Sequence, residues 1–144
     1  MFFNRHYLNE LVHEIYKSWT HREDTGNRRV YVGTKKGIYF FAGMFVIDNE
    51  LIPLVRIGET GDISDRQGQY RTHNPSSLYL IFFHSVFDEE ERKKIESDYL
   101  YKFEKYRLQN TWDNKDKRRH RDWFHLKPVV EELGLDWKRM NEEQ

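Results

Sequence analysis

"GIYFFAGMFVIDNELIPLVRIGET", residues 37–60, is the stretch whose reading decides the fold. Two runs rich in aromatic and branched residues, Ile38 to Ile47 and Leu51 to Ile57, flank Asp48-Asn49-Glu50, which supplies turn chemistry. The pattern is a long β-hairpin, with Pro53 best tolerated near a strand end or an edge. Gly58 closes it, Thr60-Gly61-Asp62 turns the chain, and Asp62 or Ser64 caps a short helix expected through about Thr72. Arg66 and Tyr70 lie four apart on that helix and share a face.

Upstream, Leu8, Leu11, Val12, Ile15 and Trp19 recur at helical spacing, so Arg5 to Trp19 is expected to be an amphipathic helix docked on the sheet. His6 and His13, seven apart, lack metal-ligand spacing and are assigned no role. Residues 20–29 are polar and carry Gly26, which reads as a loop before a short strand at Val30-Tyr31-Val32. Downstream, "HNPSS" breaks the chain and Leu78 to Val86 forms another strand. Asp88 then caps a helix whose first turn, Glu89-Glu90-Glu91, faces the positive helix end. Ile95, Tyr99, Phe103 and Tyr106 mark the buried arc of that helix, and Glu96 falls inside it. A carboxylate there is costly unless it is paired, hydrogen-bonded or holding a cation, so a buried salt bridge to an arginine and a metal site both satisfy it. Val129, Val130, Leu133, Leu135 and Trp137 give Lys127 to Gln144 to a last helix with an acidic end.

Composition bounds what such a chain can be. With 144 residues, 38% hydrophobic and 16% aromatic, it has apolar surface for one core and is expected to be a single domain over 1–144. Lys and Arg number 24 against 24 Asp and Glu, so any affinity for a polyanion must come from where charge sits. The absence of cysteine excludes a disulfide framework, a thiolate nucleophile and cysteine-type zinc sites. Neither a long apolar run nor the apolar stretch of a secretory signal is present, so a cytoplasmic protein with no membrane partner is expected.

Gly37-Ile38-Tyr39 on one strand, Arg56-Ile57-Gly58 on its partner, an arginine eight residues past the second glycine, an aromatic four further on and a mid-helix glutamate together resemble the GIY-YIG nuclease superfamily. "LVRIGET" is similar to the "VKIGxT" element of its phage-type, T5orf172-like branch, in which a basic residue replaces the second motif's tyrosine. The resemblance covers roughly residues 30–110, with the helix 5–19 and the segment 111–144 as additions. It implies an α+β fold with a small three-stranded antiparallel sheet flanked by helices, and single-metal hydrolysis of a phosphodiester.

Carried over by position, the resemblance places the catalytic tyrosine at Tyr39, the arginine at Arg66, the following aromatic at Tyr70 and the metal-binding glutamate at Glu96; Asn110 in "YRLQN" matches a residue that follows the glutamate helix. Three features depart from the pattern. Arg56 stands where a second tyrosine is usual, and Glu59 stands where excision-repair relatives carry a lysine. The gap from Tyr39 to Arg56 is also long; an alternative alignment on Gly43-Met44-Phe45 shortens it but puts Phe45 in the tyrosine's place. The complete GIY motif and the freedom of hairpins to lengthen at their turn favour Tyr39.

These residue types suit the chemistry. Phosphodiester hydrolysis needs an activated water and positive charge where charge develops on the phosphate. In this reading Glu96 holds one Mg²⁺ or Mn²⁺, Arg66 presents a planar fork to the phosphate, and Tyr70 hydrogen-bonds the phosphate or the water. Tyr39 orients or deprotonates the water, and because a phenol titrates near about 10, cations such as Arg56 or Arg66 must help it near neutrality. "NKDKRRHRDWF", residues 114–124, places Lys117, Arg118, Arg119 and Arg121 in a segment suited to phosphates and held by Trp123-Phe124, so the expected partner is double-stranded DNA. The expected function is therefore a metal-dependent DNA endonuclease. The alternative is a catalytically impaired module on the same fold that binds nucleic acid or protein, with Arg56 and Glu59 as its marks.

Overall fold

The computed structural model describes residues 3–20, 22–25, 28–31, 34–63, 78–108 and 123–141. Helix α1 (Arg5–Thr20) precedes two short strands, β1 (Arg22–Thr25) and β2 (Arg28–Tyr31). Then come the strands of the hairpin, β3 (Gly37–Ile47) and β4 (Glu50–Thr60), followed by β5 (Tyr79–Ser85) and helix α2 (Glu89–Lys102). A single 3₁₀ turn at Glu104–Tyr106, strand β6 (Trp123–His125) and helices α3 (Leu126–Glu132) and α4 (Trp137–Met140) complete the order.

The hairpin forms as its sequence requires. Asp48 and Asn49 alone make the turn, with φ of 51° and 65°, a left-handed pair that Asp and Asn tolerate better than most residues. Glu50 is already the first residue of β4. The sheet is antiparallel with four strands in the order β5-β3-β4-β6, one more than the three expected. The fourth is β6, which pairs Leu54 with His125, Val55 with Phe124 and Arg56 with Trp123. A three-residue strand is too short for alternation to show in sequence, and it owes its conformation to the open edge of β4.

Two other expectations are corrected. β1 and β2 form their own two-stranded ladder, Arg22 opposite Tyr31 through Thr25 opposite Arg28, where a loop was expected over 20–29. Backbone pairing between adjacent segments needs no apolar pattern, so polar composition hides it. The carboxy-terminal segment holds two short helices, not one. The chain turns between them at Gly134, whose φ of 78° is a left-handed conformation that ends helices and suits glycine.

Residues opposite each other on neighbouring strands share a sheet face. On one face Ile38, Phe40, Ala42, Val55, Ile57 and Ile81 meet Phe103, Phe124, Leu126, Val129 and Val130 in the larger core. On the other, Tyr39, Phe41 and Leu80 join Ile63, with Val12, Ile15 and Trp19 of α1 packed against them. α1 begins at Asn4, whose Oδ1 accepts from the Tyr7 amide at 3.2 Å, and Asn4 also donates its own amide to the Met140 carbonyl at 2.9 Å.

α2 covers the larger core, and aromatic geometry sets its rotation. The Phe40 ring meets Tyr99 and Phe103 edge-on, at 5.2 and 6.1 Å, while those two rings stack in parallel at 6.3 Å. Asp88 caps the helix by accepting from the Glu91 amide at 2.9 Å.

Candidate active site

Tyr39 stands directly across from Gly58 in the β3–β4 ladder and is 2% exposed. A Cβ built on Gly58 would collide with the Tyr39 hydroxyl and ring, so the phenol crosses β4 in the space that glycine leaves. Arg56 lies opposite Phe41, on the same face as Tyr39 and two residues before that glycine. Among the described residues it is also the last position of the β4–β6 pairing, opposite Trp123.

Past that point the edge of β4 borders a cleft of about 450 Å³. Tyr39, Arg56, Ile57, Gly58 and Glu59 line it from the sheet, and Lys93, Glu96, Ser97 and Leu100 line it from α2. Tyr39 belongs to one face of the sheet and α2 covers the other, so they meet around the strand edge. Tyr99 and Phe103, held by Phe40, turn Glu96 to this cleft, where the carboxylate is half-buried. Leu100, one turn on, gives the cleft an apolar wall.

The structure thus brings three of the sequence-derived residues, Tyr39, Arg56 and Glu96, to one cleft. Arg66, Tyr70, Asn110, Lys117, Arg118, Arg119 and Arg121 lie outside the described residues. Phe45, the tyrosine's place in the shorter alignment, packs its ring on Trp123 at 4.6 Å and does not line the cleft.

Arg92 is the residue that sequence reasoning missed. It is the buried residue of α2, and its Nε donates to Glu59 Oε2 at 3.2 Å while its Nη1 donates to the Phe87 carbonyl at 2.6 Å. The signal available was its position: one turn before Glu96, it faces the same way. Lys93 was also missed, and its ammonium lies 3.4 Å from Glu89.

Farther along the helix, the Tyr99 hydroxyl lies 2.8 Å from His84 Nδ1, and burial raises its phenol above the ordinary tyrosine value. Mg²⁺ and Mn²⁺ keep several waters and take one or two carboxylates, which a half-buried Glu96 beside a polar cleft can supply. Among the described residues there is no cluster of three or more His, Cys, Asp and Glu that could hold a metal ion.

A short antiparallel sheet whose edge gathers a phenol, a guanidinium and a helix-borne carboxylate defines an α+β domain with a polar cleft beside its central hairpin. The chain belongs to the T5orf172 domain family, whose sequence profile matches residues 36–140. That domain is found in GIY-YIG-like and phage endonuclease-type proteins. No curated protein matches the chain, and no solved structure does. Among the described residues, no helix is long and apolar enough to cross a membrane.

Proposed function

We propose that the chain is a metal-dependent endonuclease that hydrolyses phosphodiester bonds in double-stranded DNA at the cleft between β4 and α2. The observation that carries this reading is the convergence of Tyr39, Arg56 and Glu96 on that one cleft, in a chain of the T5orf172 family. Glu96 is the residue that would hold one Mg²⁺ or Mn²⁺, which when bound supplies positive charge at the phosphate and acidifies a water.

The remaining roles fall to the chain's own groups. Tyr39, fixed by its place over Gly58, orients the attacking water by a hydrogen bond at the phenol oxygen. Arg56 and Lys93 place positive charge at the cleft, and the guanidinium offers nonbridging oxygens a planar fork. Arg66 and Tyr70 contact the phosphate in this proposal, while Asn110, Lys117, Arg118, Arg119 and Arg121 extend the contact to flanking DNA. The engagement of Glu59 by Arg92 removes one ground for reading the domain as impaired. Incubation of supercoiled plasmid with the protein tests the proposal: nicked circles form with Mg²⁺ and not with excess EDTA, and plasmid left intact under both conditions contradicts it.

A further inference from the structure

Glu59 puts a carboxylate into the wall of a cleft proposed to take a phosphodiester. Like charges at that range repel strongly where water is partly excluded, so an unengaged Glu59 would oppose binding. The carboxylate is engaged. Arg92 Nε reaches Glu59 Oε2 at 3.2 Å, and its side chain is 8% exposed against 26% for Glu59. The guanidinium is itself fixed, because Nη1 donates to the Phe87 carbonyl at 2.6 Å, where the chain enters α2. A fork anchored at a backbone carbonyl cannot swing toward solvent without breaking that bond, so it draws Glu59 toward the helix.

We infer that Arg92 is the electrostatic screen of the cleft: it neutralises Glu59 from behind, so that this carboxylate does not repel a phosphodiester entering the site. Arg92 is buried beneath the wall and meets no substrate, which makes it a positioning residue. The inference rests on the proposed nucleic-acid partner and not on cleavage. It assigns the pair a role in affinity that is strongest at low salt and fades as salt screens the exposed side of Glu59.

The test is the affinity of the full chain for a short fluorescein-labelled DNA duplex in EDTA, read by anisotropy, so that neither metal nor turnover enters. Arg92→Gln is expected to weaken binding about tenfold at low ionic strength, by releasing the Glu59 charge into the cleft. The double variant Arg92→Gln/Glu59→Gln is expected to return to within about twofold of wild type, whereas Arg92→Gln/Glu90→Gln, which removes an exposed carboxylate of the first turn instead, stays weak. A double variant as weak as Arg92→Gln would mean that Arg92 acts through structure alone, and equal rescue by Glu90→Gln would reduce the effect to net charge; either overturns the inference.

If Arg92→Gln does not fold, Arg92→Lys and Glu59→Gln carry the test. Neither releases a carboxylate into the cleft, so Arg92→Lys binds within about twofold of wild type and Glu59→Gln, which leaves the Arg92 cation without its counter-charge, binds as well as wild type or tighter; a tenfold loss in either contradicts the screen. Wild-type protein that does not bind the duplex overturns both this inference and the proposed partner. Screening behaviour in a protein that never nicks DNA supports the screen and removes only the nuclease reading.

Discussion

The Tyr39 phenol occupies the space above Gly58 that any side chain at position 58 would fill. The two residues are cross-strand partners, so the hairpin register fixes their relation. Gly58→Ala should therefore push the phenol from the cleft and overpack the sheet, costing about 1–3 kcal/mol of stability and most of the nicking activity. Thermal melting and plasmid nicking of the same preparation check both effects. Unchanged nicking would show that the ring's position does not matter.

Tyr39→Phe separates the hydroxyl from the ring. The phenyl group keeps its contact with Phe41, at 5.2 Å between centroids, and only the water-orienting oxygen is lost. Turnover should fall by about 10²-fold or more while affinity for DNA in EDTA stays near wild type. Phe45→Tyr should add nothing, because that ring packs on Trp123 away from the cleft.

The basic segment supplies a prediction about binding. Neutralising Lys117, Arg118, Arg119 and Arg121 should weaken DNA binding and flatten its salt dependence, each lost phosphate contact lowering the log–log slope by about 0.9. Affinities measured across a salt series check this, and an unchanged slope would assign these side chains to solvent.

Tyr99 links the helix to alkaline stability. Burial raises its phenol, so the fold favours the neutral form. The stability this contributes is fully present below the unfolded tyrosine value of about 10 and is lost as pH rises through the higher folded value. Tyr99→Phe should therefore flatten the alkaline end of the melting-temperature profile, at the cost of the 2.8 Å contact with His84. A profile that falls as steeply in the variant would trace the alkaline loss to another group.

What the sequence disclosed follows from the range of the forces involved. Ile38 to Ile57 showed its hairpin because runs of aromatic and branched residues and the turn chemistry of Asp48-Asn49-Glu50 are local, although Glu50 itself belongs to β4. Asp88 showed its cap for the same reason. β6 stayed hidden because its conformation depends on the far edge of β4, and β1 and β2 because they pair through backbone in a polar stretch. At the site, Tyr39 and Glu96 were legible through motif spacing. Their meeting around a strand edge was not, since they come from opposite sides of the sheet. Arg92 escaped notice because a charged residue on a helix reads as solvated, and only the position of Glu59 on the neighbouring strand makes it a buried partner.

The central claim is that Glu96 is the carboxylate of a metal-dependent nuclease, and it is tested most directly by comparing wild type and Glu96→Ala in the nicking of supercoiled plasmid with Mg²⁺, alongside their melting curves. The account predicts that the variant keeps a wild-type melting temperature within a few degrees and loses metal-dependent nicking by about 10³-fold or more, since the carboxylate faces a cleft and its removal leaves no core cavity. A variant that nicks as fast as wild type, or one that unfolds while wild type shows no response to metal in nicking or melting, would contradict it and make Glu96 a structural partner.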